Sequence, residues 1–148
     1  MVTEAAMLDI KVIVFKLMDK EYAIPVENVR SIEKVLHITR VPKVSSYIKG
    51  VINLRGVVTP IIDLRERFSL AESKYDVHTR IIIVKLDQKE VGLIVDSAND
   101  VLDVPLSSIE PQPAVTGSVE ADFINGVAKL DRRLLIMLKM EVVLDNNQ

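Results

Sequence analysis

Few side chains in this sequence have the types and spacing that catalysis or metal binding requires. The histidines His37 and His78 lie far apart, and neither stands at a spacing from another ligand-type side chain that indicates a metal site. Cysteine is absent, which excludes disulfides, thiolate catalysis and cysteine-based zinc sites. Gly50 and Gly56 are not followed by the lysine and hydroxyl residue of a phosphate-binding loop. We therefore expect no metal and no cofactor.

Two aspartates are the remaining candidates for acid–base chemistry. Asp63 could act as a catalytic acid, but it directly precedes a charged segment with apolar residues on one face, so a helix N-cap explains it better. Asp96 ends a strand-like run where a turn begins, and a capping or turn role is again the better interpretation. The sequence contains no GxSxG motif. The chain is therefore not expected to be an enzyme.

One arginine stands out within an apolar block at residues 47–70. Two apolar runs, 51–54 and 57–62, flank the turn Asn53-Leu54-Arg55-Gly56, and Asn and Gly tolerate the positive φ angles of a tight turn. The pattern predicts a β-hairpin with Arg55 at its tip. Arginine at such a position suits recognition of a partner, although a solvated surface charge is the alternative interpretation.

Composition and charge narrow the remaining classes of function. A chain of 148 residues fits one domain, or two small lobes that share a core. A small barrel that binds nucleic acid would need a basic face with stacking aromatics, and the net charge of −2 makes that the weaker alternative. The apolar runs are too short to span a membrane, and the N-terminus lacks a secretory signal. We expect a cytoplasmic protein without direct membrane insertion, and a protein-binding role.

Short strands joined by turns dominate the pattern of the chain. Hairpins are predicted at 12–26, 51–62, 80–95 and 123–139, and short helices after Asp63 and at 140–144. Segment 28–34 reads as one helical turn or a bent strand, and 71–78 is the best internal boundary. Together these features predict an all-β fold of two small barrels on a shared apolar core. The approximate lobes are 10–70 and 79–145, and strands may be exchanged between them.

The central segment IKGVINLRGVVTPIIDLRERF resembles the signature of CheW, the coupling protein family of bacterial chemotaxis. The resemblance extends to the opening hairpin FKLMDKEYAIPVENVRSIE, the strand pair RIIIVKLDQKEVGLIVDSANDVL and the closing INGVAKLDRRLLIMLKMEVVL. The NLRG turn, with KGV before it and P-x-x-DL after it, makes the resemblance specific. It covers nearly the whole chain.

The resemblance implies an adaptor without enzymatic activity, built from two SH3-like five-stranded β-barrel lobes. Such adaptors bind the regulatory domain of the histidine kinase CheA and the helical hairpin tip of methyl-accepting chemotaxis receptors. They are cytoplasmic and are recruited to membrane-associated receptor arrays. A coupling protein of a chemosensory pathway other than motility is the alternative within the family.

The resemblance also implies a receptor-binding groove between the two lobes, with Arg55 as the NLRG arginine linked to coupling. Where some relatives carry a glutamate, this chain has Ser31, with Glu33 two residues further along, so a salt bridge to that glutamate is not carried over. The sequence does not identify the kinase-binding residues. We expect them on the surface of the second-half barrel. The apolar residues of the implied groove are Ile13, Val26, Val29 and Ile32 on one wall, with Ala98 and Val101 on the other.

Overall fold

The protein is built almost entirely of strands, which confirms the predicted all-β class. The structure is a computed structural model and describes residues 8–71, 74–111 and 120–145. Within these ranges the chain forms eleven strands, two α-helices of one turn each and short 3₁₀ helices. The strands lie in two sheets.

The larger sheet has six strands. Their order across the sheet is β8-β1-β2-β11-β10-β9, with β2 and β11 parallel and the other neighbours antiparallel. The strands are β1 (Asp9–Leu17), β2 (Lys20–Pro25), β8 (Ser97–Pro105), β9 (Ile109–Glu110), β10 (Ile124–Leu130) and β11 (Arg133–Leu138).

The smaller sheet has five strands in the order β3-β6-β7-β5-β4, with β5 and β7 parallel. An isolated bridge between Thr39 and Val51 adds a further segment beside β4. The strands are β3 (Val29–Lys34), β4 (Ile48–Leu54), β5 (Val57–Asp63), β6 (Arg80–Leu86) and β7 (Lys89–Val95).

The two sheets are not the two halves of the chain. The first hairpin of the first half, β1–β2, lies in the sheet of β8, β10 and β11, and the first hairpin of the second half, β6–β7, lies in the sheet of β3, β4 and β5. The chain passes between the sheets at the 3₁₀ turn Val26–Asn28 and at Asp96, whereas β5 and β6, which precede and follow the predicted boundary, lie in the same sheet. Lobes drawn as 10–70 and 79–145 therefore exchange their first hairpins. A hairpin cannot bury both of its faces alone, and each half supplies the strands that the other lacks.

Four hairpins turn through two residues each, and the first turn residue has a positive φ in every one. At the tip of β4–β5, Arg55 has φ 53° and Gly56 has φ 84°. Two positive φ values are typical of a type I′ turn, whose twist matches that of paired strands. The side chain of Asn53 accepts a hydrogen bond from the Gly56 N–H at 3.0 Å. The hairpin predicted around Arg55 is confirmed, and the other three first turn residues are Met18, Asp87 and Asp131.

A central apolar core lies between the two sheets. Four aromatic rings run through it, with centroid separations of 5.7 Å for Phe15–Tyr22, 5.9 Å for Tyr22–Phe68 and 4.9 Å for Phe68–Phe123. All four rings are buried. Both sheets contribute aliphatic side chains to this core, for example Ile24 and Ile136 from one and Ile82, Val84 and Leu93 from the other.

Each sheet also curls around a smaller core of its own. Inside the six-stranded sheet, Val104 of β8 packs in the same cluster as Ala128 of β10, although these strands lie near opposite edges. Inside the five-stranded sheet, Ile52, Ile61 and Ile81 pack together. This curvature suits small barrels, although the closure of either sheet into a complete barrel stays a prediction.

Each short α-helix follows the second strand of a hairpin, β5 in the five-stranded sheet and β11 in the six-stranded sheet. Helix α1 (Leu64–Arg67) begins after Asp63, whose side chain accepts a hydrogen bond from the Glu66 N–H at 3.3 Å. This confirms the predicted helix and its N-cap. Helix α2 (Met140–Val143) confirms the predicted closing turn. In the part of the chain that the structure describes, no helix is long and apolar enough to span a membrane.

Two glycines follow β-bulges at equivalent places in the two sheets. The pairing of β4 shifts between Ile48 and Gly50, and that of β10 shifts between Ile124 and Gly126. A Cβ at Gly50 would lie 2.1 Å from the Thr39 carbonyl oxygen, and one at Gly126 would lie 2.7 Å from the Glu110 carbonyl oxygen. Only glycine lets these backbones approach so closely.

We predict that Gly50→Ala lowers the free energy of unfolding by about 2–4 kcal/mol, because a clash with backbone adds to the strain of φ +145°. Urea denaturation of the purified protein measures this. Gly56→Ala is the matched control: its φ is +84°, but no atom lies within 4 Å of the added Cβ. We expect the control to cost only about 1–2 kcal/mol. Equal losses in the two variants would contradict the assigned close approach at Gly50.

Candidate functional site

A groove opens between β3, an edge strand of the five-stranded sheet, and β8, an edge strand of the six-stranded sheet. It has a volume of about 180 Å³ and is lined by residues of β1, β3 and β8. Ile13 at its base is buried and belongs to the central core, whereas Ile32 and Val101 are 42% and 54% exposed. The central apolar core therefore reaches solvent here. We call this the edge groove, and its lining residues are Ile13, Ile32, Ala98, Asp100 and Val101.

The wall formed by β3 contains a β-bulge. Its pairing with β6 shifts between Val29 and Ser31, so that Val29 pairs with Val84 and Ile32 pairs with Ile82. Val84 and Ile82 both belong to the central core. The bulge thus turns Val29 and Ile32 to the same side of the strand although they are three residues apart. Of the two predicted conformations for 28–34, the bent strand is the one found.

The wall formed by β8 is also bulged. The pairing of β1 with β8 shifts between Val14 and Phe15, and the ladder skips residue 99. Ala98 pairs with Phe15 and Val101 pairs with Ile13. Phe15 and Ile13 are central-core residues, so Ala98 and Val101 lie on the core-facing side of the sheet beside the groove.

The structure brings together four of the seven residues that the resemblance implied. Ile13, Ile32, Ala98 and Val101 line the edge groove, and Asp100 joins them. Val26 and Val29 are partly buried, pack against the central core and are not among the lining residues. Sequence reasoning passed over Asp100, because a charged residue in a bent strand carries no signal of its own.

Arg55 lies beside the groove wall and not in the lining. Its Nη2 is 3.8 Å from Glu33 Oε2, and its side chain is 75% exposed. Glu33 follows Ile32 on β3, so the ion pair joins the β4–β5 turn to the groove wall across the five-stranded sheet. Ser31 has no carboxylate that could pair with Arg55. Glu33, two residues further along, supplies that carboxylate.

A second apolar groove of about 460 Å³ crosses the five-stranded sheet and shares no lining residue with the edge groove. Val41 and Val44, on the connection before β4, are partly exposed beside it. Sequence reasoning missed it, because the loop and three strands come together only in the fold. We call it the sheet groove, and its lining residues are Val41, Val44, Ile48, Val51, Pro60, Ile62, Lys89, Glu90 and Val91.

Comparison with known proteins places this arrangement in a family. The family model of the CheW-like domain matches residues 11–148. The chain belongs to the CheW-like domain family.

Relatives of this CheW-like chain are similar over most of their length. It is 50% identical over 135 residues to the Chemotaxis protein CheW of Bacillus subtilis (strain 168), covering 91% of this chain and 86% of the relative. It is 35% identical to the Chemotaxis protein CheW of Klebsiella aerogenes, covering 92% and 82%. The crystal structure of the scaffolding protein TtCheW from Thermoanaerobacter tengcongensis superposes with a TM-score of 0.87 at 35% identity, covering 95% of each chain.

At one of the two passages between sheets, the CheW-like fold is held by an aspartate. Asp96 accepts hydrogen bonds from the Met18 N–H at 2.8 Å and from Arg65 Nε at 2.7 Å, with a second contact to Arg65 Nη2. The hydrogen bond from Arg65 to the Asp96 carboxylate raises the pKa of the Arg65 guanidinium. The turn role expected for Asp96 is therefore extended: its side chain joins α1, the β1–β2 turn and the start of the groove wall β8.

The candidate catalytic residue Asp63 has a structural partner in addition to its capping role. The Tyr75 hydroxyl donates a hydrogen bond to Asp63 Oδ2 at 2.7 Å. In residues 8–71, 74–111 and 120–145, no group of three or more histidine, cysteine, aspartate or glutamate side chains is placed to hold a metal ion. The described residues form two apolar grooves with different linings.

We predict that Arg55→Ala changes the free energy of unfolding by less than about 1 kcal/mol, because an exposed ion pair with a long contact contributes little stability. Thermal and urea denaturation of the two proteins measure the difference. Arg65→Ala is the contrasting variant, since it leaves Asp96 without its guanidinium partner, and we expect it to cost more. A larger loss for Arg55→Ala would assign Arg55 to the structural framework.

Proposed function

We propose that this CheW-like protein is a non-enzymatic adaptor that couples methyl-accepting chemotaxis receptors to the histidine kinase CheA. It would act in the cytoplasm and be recruited to receptor arrays at the membrane. Family membership supports the proposal. The observation that carries it is the presence of two apolar grooves with different lining residues, because a coupling protein must hold two partners at once.

The edge groove suits an amphipathic helix. Its exposed apolar residues, Ile32 and Val101, stand on opposite walls above the buried Ile13. A helix that places apolar residues at i, i+3, i+4 and i+7 could bury them between these walls. The tip of a chemotaxis receptor is a helical hairpin in the family that the sequence resembles. We therefore assign the receptor tip to the edge groove, with Arg55 and Glu33 at its rim.

The sheet groove is the better candidate for the kinase regulatory domain. It is the larger groove, and most of its lining is aliphatic, with Lys89 and Glu90 as charged residues. A partner domain can bury more apolar area on such a surface than a single helix can. This assignment differs from a surface built from the second half alone, because β4, β5 and the loop before them come from the first half.

The proposal is tested by titrating the purified protein with a CheA regulatory domain from the same organism and then adding a receptor-tip fragment. Saturable binding of both partners in one ternary complex is the expected result. Binding of neither partner by a folded sample would reject the adaptor function. Competition between the two partners would reject the assignment of separate grooves.

We predict that Ile32→Asp or Val101→Asp weakens binding of the receptor tip by about tenfold or more, because each replaces exposed apolar surface that the helix would bury. Binding of the kinase domain should not change. Isothermal titration of each variant against each partner measures both effects, with a thermal melt as the control for folding. Val29→Asp is less informative, since Val29 packs against the central core and the variant would also lose stability.

We predict the reverse selectivity for Val44→Asp, because Val44 is exposed beside the sheet groove. Kinase-domain binding should weaken by about tenfold, by the same argument from lost apolar burial, while receptor-tip binding is retained. The comparison of Val44→Asp with Val101→Asp in the same titrations forms a matched pair. Loss of the same partner in both variants would show that the two grooves are not separate sites.

A further inference from the structure

Arg133 is a second arginine that ties a hairpin turn to a wall of the edge groove. It begins β11, directly after the two-residue turn Asp131-Arg132. Its Nη2 and Nε lie 2.7 and 3.2 Å from the Glu21 carboxylate oxygens. Its Nη1 and Nη2 lie 3.2 and 3.3 Å from those of Asp100. One guanidinium therefore bridges β2 and β8, with β1 between them.

The geometry of this bridge is favourable for a planar cation. Both carboxylates are contacted by two guanidinium nitrogens, which is the arrangement in which arginine is most directional. The hydrogen bond to Glu21 raises the pKa of Arg133 most, and the hydrogen bond to Asp100 raises it further. Arg133 and Glu21 are mostly shielded from solvent, with side-chain exposures of 35% and 19%.

The Arg133 bridge contacts β8 next to an irregularity in its pairing with β1. β8 is an edge strand, and its ladder with β1 skips residue 99. Asp100 follows the bulge and pairs with Val14, whose side chain belongs to the small core inside the six-stranded sheet. Ala98, Asp100 and Val101 all line the edge groove. Arg133 thus contacts the bulged segment of this wall through the Asp100 carboxylate.

A longer and more exposed arginine–carboxylate contact lies at the opposite wall. In the five-stranded sheet, Arg55 at the β4–β5 turn reaches Glu33 on the bulged edge strand β3. In the six-stranded sheet, Arg133 at the β10–β11 turn reaches Asp100 on the bulged edge strand β8. The two hairpins occupy equivalent places in the two sheets. Arg55 is marked in the sequence by the NLRG turn, whereas nothing in the sequence around Arg133 points to such a role.

We propose that Arg133 is a positioning residue of the edge groove, which fixes the β8 wall through Asp100 and so sets the affinity for the receptor tip without contacting it. The inference rests on the proposed function, since the affinity concerns that partner. The inference also applies to the free protein, because Arg133 contacts Asp100 on β8 in the absence of any partner.

The first test measures amide hydrogen exchange in the free, full-length protein. In Arg133→Gln the amides of 97–104 should exchange several-fold faster than in the wild type, while those of β6 in the other sheet are unchanged. Asp103→Asn is the matched control, since Asp103 lies on β8 but its ion pair with Lys11 is long, at 3.9 Å, and well exposed. Unchanged exchange along 97–104 in Arg133→Gln would overturn the proposal, as would faster exchange throughout the protein.

The second test measures binding to a receptor-tip fragment and to the kinase regulatory domain. Arg133→Gln should weaken tip binding about fivefold, in the range of coupling within a contact network, and leave kinase-domain binding unchanged. Arg133→Lys should recover part of the loss because it keeps the charge but not the two-pronged contact. Equal weakening of both partners, or none, would overturn the proposal. If the wild type itself binds no tip, the adaptor function fails, while the exchange measurement still decides whether Arg133 holds β8.

Discussion

Burial of the central apolar core between two sheets is the constraint on which the rest of the structure depends. Its aromatic row draws Phe15 and Tyr22 from the first hairpin, Phe68 from the end of the first half and Phe123 from the second. No single sheet could bury these rings alone. Because each half lends its first hairpin to the other sheet, neither half completes a sheet by itself. The edge groove follows from the same constraint, since it is the place where this core reaches solvent between β3 and β8.

Much of the local structure could be predicted from sequence because its causes are local. The Asn53–Gly56 turn, the Asp63 cap and the alternation of apolar runs with polar two-residue turns act over a few residues, and the structure confirms the elements they predict. The resemblance carried by the NLRG segment supplied the family, which the comparison confirms. The all-β class followed from the number and spacing of the strands.

The features that escaped prediction depend on contacts between distant residues. The side on which Val29 and Ile32 lie is set by a bulge against β6, fifty residues away in the chain, and periodicity alone left a helical turn open. The partners of Arg55 and Asp96 come from other elements of the fold. The sheet groove has no pattern in the sequence, because its lining is assembled from a loop and three strands. Packing against the central core accounts for Val26 and Val29, which sequence alone could not distinguish from groove lining.

The exchange of hairpins gives this single chain the topology of a domain-swapped dimer whose two subunits have been fused. The groove walls β3 and β8 hold equivalent places in the two sheets, so in a dimer of identical subunits they would be identical. A groove of that kind would have two-fold symmetry and would accept a helix equally well in either direction. Here one wall presents Ile32 and the other Ala98 and Val101, so the symmetry is broken by side chains. The two directions of a helix laid along this groove would therefore not be equivalent, because each direction would place different residues of the helix against Ile32 and against Val101.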